Sequence, residues 1–293
     1  MLIRDLDVAL DSTHVGPVAL DSTHVGPNGD APANAESRHY RPRPHATPLT
    51  ISVVIPTKNE AQNIVWVLEN MDPIVDQVVI VDFRSTDGTT DIARMIRPDV
   101  LVVEHPLPGK GEAIRAGFAA ATGDVVVMLD ADGSMDPAEI RRMVEQLASG
   151  YDLAKGSRFL AGGGTTDMTW LRRLGNAGLV GLTNILLGAR YSELCYGFMA
   201  LRRSRIAELG LRSTGFEIET EIVVRAHRAG LAVVEVPSFE SPRRNGESNL
   251  NTFRDGWRVL ITLRRQRAAR MGTAAGNREL AASNLEPMEQ EAT

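Results

Sequence analysis

What the sequence has little of narrows it first. It holds one cysteine, Cys195, in 293 residues, so no intrachain disulfide can form and a reducing compartment is the expected home. Positive charge is not in excess: 32 lysines and arginines stand against 37 aspartates and glutamates, a formal net charge of -5. A general nucleic-acid binder would be basic, so none is expected as a partner. No stretch reaches the ~18 consecutive apolar residues of a membrane span. Residues Met1–Leu10 carry Asp5 and Asp7 and no apolar core behind positive charge, which reads against a secretory signal. The expectation is a cytoplasmic protein, free or peripheral on the cytoplasmic face of a membrane.

What is present suits a globular enzyme. With 43% hydrophobic and 24% charged residues, the chain can bury a large core. A ten-residue unit, VALDSTHVGP, spans Val8–Pro17 and recurs unchanged over Val18–Pro27. It is too short for a solenoid repeat. Residues 1–48, rich in Pro, Ala, Asn and Arg, read as a disordered tail, with His14 and His24 solvated within it. A polar stretch over 273–293 reads the same way, leaving 49–272 as one domain.

Inside that domain, short β-branched runs alternate with helical spacings. Ile51–Ile55, Val78–Val81, Val100–Val103 and Val125–Leu129 are read as strands, and Ala61–Asn70, Thr90–Ile96, Gly111–Ala121 and Ala138–Leu147 as helices. Apolar strands separated by helices imply an α/β, doubly wound, mostly parallel sheet with helices on both faces. Ligands of such sheets bind beyond the carboxyl ends of the strands. Polar residues gather there: Asn59 and Glu60 after the first strand, Asp82 after the second, Asp130 and Asp132 after the fourth.

Asp130-Ala131-Asp132 carries the most chemistry. Two carboxylates one residue apart at a strand end can share a hard divalent cation, Mg²⁺ or Mn²⁺, which takes oxygen ligands and keeps room for phosphate oxygens. Such an ion would offset charge on a departing diphosphate. D-x-D-G also describes a solvated turn; the convergence of three strand ends favours the metal. Asp82 is placed to accept a hydrogen from a base, with Ser85, Thr86 and Asp87 capping the helix that follows. Gly109-Lys110-Gly111 opens a helix, where backbone N–H groups and a lysine attract phosphate, although a simple loop explains it as well. It matches neither a Walker loop nor G-x-G-x-x-G.

Together these stretches resemble family-2 glycosyltransferases of GT-A fold, especially the polyprenyl- and dolichyl-phosphate sugar transferases. The likeness covers about residues 50–265. It rests on Val54–Glu60 (VIPTKNE), Val81-Asp82 with Ser85–Thr89, Gly109–Gly111, Asp130–Asp132, Gly156-Ser157-Arg158, Gly197-Phe198, Phe216–Glu221, and Pro242-Arg243 with Gly246–Ser248. The resemblance implies that Pro56, Lys58 and Glu60 line the nucleotide pocket and that Asp82 contacts the base. It implies that Asp130, Ala131 and Asp132, aided by Ser134, hold a metal-bound diphosphate, with Lys110 nearby. Arg158 would lie near the phosphates or sugar, and a lid around Arg243 and Ser248 would close over the diphosphate. The chain departs from the family at Phe83 and Arg84, where a second acid and a small residue usually stand. Base binding through Asp82 is expected to survive, and Arg84 is expected to shift donor choice rather than abolish activity.

The expected reaction is inverting, metal-dependent transfer of a hexose from a UDP- or GDP-sugar to a polyprenyl phosphate. A lipid phosphate is already ionised, whereas a hydroxyl acceptor, the alternative, would need a general base; Glu219 or Glu217 is the candidate. A non-catalytic nucleotide-sugar binder is the third reading, suggested by Phe83-Arg84. Leu171–Leu187, with Arg172 and Arg173 at its start, reads either as an apolar surface for a lipid acceptor or as a core helix. Residues 253–271, a basic helix around Trp257, suit either an anionic membrane surface or packing on the domain.

Overall fold

The computed structural model describes residues 48–166 and 168–246, residue 258 and residues 260–262. The duplicated segment, the C-terminal polar stretch, Ser248 and most of 253–271 lie outside the described residues. Strand β1 (Ile51–Thr57) leads into helix α1 (Ala61–Glu69), and β2 (Gln77–Asp82) into α2 (Thr89–Ile96). Then come β3 (Leu101–Glu104), α3 (Lys110–Ala120), β4 (Val125–Met128) and α4 (Ile140–Ala148), the last preceded by a single 3-10 turn at Pro137–Glu139. These elements follow the sequence expectation to within a residue or two. The second half holds β5 (Leu153–Ser157), β6 (Gly164–Thr165), α5 (Trp170–Leu187), β7 (Met199–Arg202), α6 (Arg203–Leu209), α7 (Ile218–Arg228), β8 (Val233–Pro237) and β9 (Phe239–Glu240).

Seven strands form one sheet in the order β3-β2-β1-β4-β7-β5-β8, and β6 pairs with β9 apart from it. All neighbours in the large sheet are parallel except β7, which is antiparallel to both β4 and β5. The sheet is buried on both faces because successive residues point opposite ways. Val53, Ile55, Val78, Ile80, Val125 and Val127 pack with α1, α2 and α4. Val54, Val79, Val81, Val126 and Met128 pack with α3, α6 and α7 on the other side. Strand β3 departs from the fully buried reading: it is the sheet edge, and its Leu101 is exposed.

The sheet also continues where the sequence looks irregular. Strand β5 reads LAKGS, which is no apolar run, yet every residue of it is buried. Lys155 gives its strand a polar look while its ammonium is satisfied internally by Gly156 O at 3.1 Å and lies 3.8 Å from Glu235. Chain order reverses beside β1, with β2 on one side and β4 on the other. That switch point opens a crevice beyond the strand ends, the place such sheets use for ligands.

A candidate nucleotide-sugar transfer site

A cavity of about 720 Å³ fills this crevice. At its strand-edge end stand Pro56, Lys58 and Glu60 from the loop after β1, Phe83 after β2, and Asp130, Ala131, Asp132 and Ser134 after β4. Lys110, Arg158, Glu219 and Arg243 complete the expected residues that line it. Met168, Arg172, Gly175, Asn176 and Leu179 of α5 and the turn before it line it as well, as do Cys195, Tyr196 and Arg258, the last beside Gly215.

The two carboxylates are each matched by a cation. Lys110 Nζ lies 2.6 Å from Asp130 Oδ1 and 2.7 Å from Glu219 Oε1, nearly out of solvent. Burial acts to lower the Lys110 pKa, but Asp130 and Glu219 outweigh it and hold it above the usual lysine range. Burial raises the Glu219 carboxyl, only partly countered by Lys110. Asp132 accepts the Ser134 N–H at 3.0 Å and faces Arg243 Nη1 at 3.4 Å. The same guanidinium forks onto both Glu60 oxygens, at 2.5 and 2.6 Å.

Arg243 belongs to a loop docked on α1. Arg244 stacks on the Trp66 ring at 3.7 Å. Asn245 donates to Asn63 Oδ1 at 3.1 Å, and Asn63 donates back to the Asn245 carbonyl at 3.1 Å. This loop, from Pro242 to Gly246, brings Arg243 against Asp132; Ser248, the other residue named for a lid, lies outside the described residues.

Among the described residues no group of three or more His, Cys, Asp or Glu side chains forms a metal cage. Asp130 and Asp132 still fit Mg²⁺ or Mn²⁺, since these ions are often held by one or two carboxylates and completed by substrate phosphates. The donor set is all oxygen, and both side chains keep about a quarter of their surface open to the cavity.

Three expectations are placed differently. Asp82 is buried and absent from the cavity lining; its carboxylate accepts from Thr57 Oγ1 at 2.7 Å, Ser85 N at 2.8 Å and Ser85 Oγ at 2.6 Å. It shapes the turn that presents Phe83, over whose ring Lys58 Nζ sits at 4.8 Å. Asp87 performs the capping expected of this segment, accepting from Thr89 N at 3.1 Å.

The Gly109-Lys110-Gly111 turn spends part of its N–H groups inside the protein. The second and third N–H groups of α3, on Gly111 and Glu112, donate to Thr214 O at 3.0 and 3.3 Å. A Cβ on Gly109 or Gly111 would collide with the carbonyls of Thr214 and Ser213, so the glycines serve that close approach.

Arg158 lines the cavity, yet four of its five N–H donors are committed. Nε and Nη2 reach Glu193 at 2.9 and 2.5 Å, Nη1 reaches Glu240 at 2.8 Å, and Nη2 also reaches Cys195 O at 3.1 Å. Its guanidinium stacks on Tyr196 at 4.7 Å. It therefore holds the segment that carries Cys195, Tyr196 and Gly197 into the cavity. Glu235 secures the start of that segment, accepting from Ser192 N at 2.8 Å and Glu193 N at 3.2 Å.

The glutamate run resolves on α7. Glu217 stands at the helix start and accepts from Gly215 N at 3.2 Å. Glu221 pairs with Arg225 at 2.8 Å. Glu219 alone of the three lines the cavity. Cys195 is a free thiol whose pKa burial pushes up to about 12, so it stays protonated at neutral pH.

Sequence reasoning missed Asn176. It is buried against the cavity, and its Oδ1 has no hydrogen-bond partner among the described residues. Glu193, Glu240 and Glu235 were missed too, because each meets its arginine or lysine only after the chain has folded back.

A doubly wound sheet with one antiparallel strand, and a D-x-D pair at its switch point, define a GT-A nucleotide-sugar-dependent transferase. Residues 52–210 match glycosyl transferase family 2, and the chain belongs to that family. It is 32% identical over 223 residues to the glycosyltransferase AglJ of Haloferax volcanii, covering 75% of this chain and 73% of that one. It is 32% identical over 212 residues to the polyprenol monophosphomannose synthase of Mycolicibacterium smegmatis, covering 68% of this chain and 80% of that one. A glucosyl-3-phosphoglycerate synthase from Mycobacterium tuberculosis, solved with Mn²⁺, UDP and glucosyl-3-phosphoglycerate, superposes with a TM-score of 0.61 at 26% identity, covering 75% of this chain and 80% of that one. The protein is a glycosyltransferase.

Proposed function

We propose that this glycosyltransferase moves a hexose, with inversion, from a UDP- or GDP-sugar to a polyprenyl phosphate, using Mg²⁺ or Mn²⁺ held by Asp130 and Asp132 with help from Ser134. The observation that carries the reading is the asymmetry of the cavity. Carboxylates and Arg243 suited to a metal-diphosphate come from the strand ends and the loops after them, and Arg172 and a buried, partly unsatisfied Asn176 come from α5. The polyprenol monophosphomannose synthase likeness supports the acceptor class, and the UDP and Mn²⁺ of the structural neighbour support the donor and metal.

In this reading the base lies along Pro56–Lys58 and against Phe83, with Asp82 shaping the turn beneath it. When bound, the ion offsets the charge that collects on the diphosphate. Arg243 exchanges its contact with Asp132 for the diphosphate oxygens, and Glu60 keeps the guanidinium aimed. An oxygen of the acceptor phosphate attacks the anomeric carbon as the bond to the nucleoside diphosphate breaks, and the electron pair leaves with the diphosphate. The acceptor brings its own negative oxygen at neutral pH, so no proton must be removed. Arg172 and the Asn176 amide, turned to present its N–H groups, steady that phosphate. Arg158 is a positioning residue for the Cys195–Gly197 segment, and Lys110 holds Asp130 and Glu219 together.

A hydroxyl acceptor is the second reading. It is favoured by Glu219, a cavity carboxylate whose pKa burial raises toward that of a general base. Release of nucleoside diphosphate from a panel of UDP- and GDP-sugars with Mn²⁺, with and without a water-soluble short-chain polyprenyl phosphate, separates the two. Stimulation by the phosphate is the expected result. Turnover indifferent to it would establish the hydroxyl reading, and no turnover from any donor would make the protein a nucleotide-sugar binder.

A further inference from the structure

Helix α5 divides into sectors when its residues are laid out at about 100° each. Asn176, Val180 and Thr183 form the buried sector, and Arg172, Gly175 and Leu179 border it along the cavity. The remaining sector, roughly 140° wide by the same geometry, holds Trp170, Leu174, Ala177, Leu182 and Ile185 with two glycines between them, all exposed. Trp170 is 75% exposed, Leu174 64% and Ile185 82%. This apolar strip runs about 22 Å along the helix at ~1.5 Å per residue. A soluble surface rarely leaves such a strip bare without a partner.

The charges around the strip select the partner. No aspartate or glutamate occurs between Trp170 and Arg190, whereas Arg172 and Arg173 stand at one end and Arg190 at the other. A second copy of this face is disfavoured: antiparallel two-fold pairing would set Arg172 and Arg173 against the partner's Arg190, like charge against like. No helix among the described residues is long and apolar enough to cross a membrane. An apolar strip with a tryptophan, cationic ends and no acid suits the headgroup–acyl boundary of an anionic bilayer.

We propose that α5 is the membrane-docking element of this enzyme, lying in the plane of an anionic bilayer with Trp170, Leu174, Leu182 and Ile185 immersed. The cavity-lining sector borders the immersed one across Gly175, so a lipid-linked phosphate reaches Arg172 and Asn176 while its chain stays with the bilayer. The purpose of this docking rests on the polyprenyl-phosphate reading; its test does not.

The test is flotation of the full chain with phosphatidylcholine vesicles, with and without phosphatidylglycerol. The wild type is expected to float with the anionic vesicles and to stay behind with the neutral ones. Leu182→Glu with Ile185→Glu, neither residue lining the cavity, should cut flotation by about ten-fold or more, given the loss of two buried aliphatic side chains. Melting temperature and turnover with the water-soluble acceptor should be unchanged. If the double variant aggregates, Ile185→Glu alone should give a smaller loss in the same direction. Flotation equal to wild type in both variants would overturn the proposal and move the contact elsewhere, for example to 253–271. A wild-type dimer that the variants dissociate would overturn it in favour of a second copy, and a wild type that never floats would overturn it outright. Failure of the soluble phosphate to stimulate turnover, with flotation intact, would instead sink only the acceptor reading.

Discussion

The two ends of the cavity are built on different physics. Toward the strand edges the carboxylates that line the cavity are paired with cations: Asp130 and Glu219 share Lys110, and Glu60 and Asp132 share Arg243. At the α5 end a buried amide oxygen has no partner among the described residues, and the neighbouring helix face is apolar and exposed. The first end is pre-paired, so a ligand there must exchange one ion pair for another. At the second, the Asn176 Oδ1 has no hydrogen-bond partner among the described residues, so a ligand there adds a contact. Affinity at the first should therefore depend strongly on charge and on metal, and at the second on hydrogen bonding and apolar surface.

The sharpest way to break the strand-edge end is Asp132→Ala. Turnover should fall on the order of 10³-fold, because both a metal ligand and the counter-charge of Arg243 are lost. Chelation of divalent metal in the wild type should reproduce most of that loss. A variant that keeps wild-type nucleoside diphosphate release would end the metal-diphosphate reading.

Lys110→Met tests whether the pairing there is structural. It leaves buried Glu219 facing the partly exposed Asp130 without their shared cation, and removing one partner of a buried pair costs about 3–5 kcal/mol. A fall in Tm on the order of 10 °C is expected. Adding Glu219→Gln should recover part of it, since one of the two stranded charges disappears. Glu219→Gln alone also divides the acceptor readings: the pH profile of turnover holds its shape for a phosphate acceptor and loses its acidic limb for a hydroxyl.

At the α5 end the expected effects are smaller and confined to the acceptor. Asn176→Leu fills the amide's place with apolar atoms. KM for the polyprenyl phosphate should rise about ten-fold, with the donor KM unchanged. A rise in donor KM instead would mean that the two ends are not separate subsites.

Most of the strand-edge end was legible in the sequence, and little of the α5 end was. Strand termini are fixed by local composition, so Lys58, Glu60, Asp130 and Asp132 can be placed once β1 and β4 are recognised. Asp82 misled because a carboxylate after a strand serves a turn as readily as a ligand, and only Thr57 and Ser85 decide between them. Strand β5 escaped because Lys155 interrupts its apolar signal, and the Glu235 that lies beside that lysine is some eighty residues away. The dual nature of α5 was visible only as a choice between surface and core. Its buried and exposed sectors are both real, and which residues fall in each depends on how the helix is rotated against α7.

A pH series probes the framework behind both ends. Burial works to raise the Glu221 carboxyl, but the N–H groups of Arg212 and Ser213 and the Arg225 guanidinium outweigh it and hold it below its ordinary value of 4.5. A group depressed in the folded state contributes stability above its unfolded pKa and loses it as pH falls through the folded value. Glu221 should therefore stabilise fully at neutral pH, and that contribution should vanish progressively below about 4.5. Glu221→Gln should lower Tm at pH 7 and flatten its dependence on pH in the acid range. An unchanged acid slope would assign the loss to other carboxylates.

The smallest effect concerns the turn where the chain departs from its family. Arg84 has φ +48°, a left-handed conformation that an arginine adopts at a cost; Asn59 at φ +54° is a residue type that tolerates it. Arg84→Gly relieves about 1 kcal/mol of local strain, and the added freedom of the unfolded chain offsets part of that. A net rise of ~1–2 °C in Tm by calorimetry is expected. Donor preference should not move, because Arg84 is absent from the cavity lining, whereas Phe83 is part of it. Phe83→Asp, by contrast, removes the ring under Lys58 and gives that ammonium a carboxylate, and should change the ratio of UDP- to GDP-sugar turnover. A changed ratio in Arg84→Gly alone would mean that the arginine reaches the nucleotide from the rim, and that the departure acts through both residues rather than through the aromatic ring.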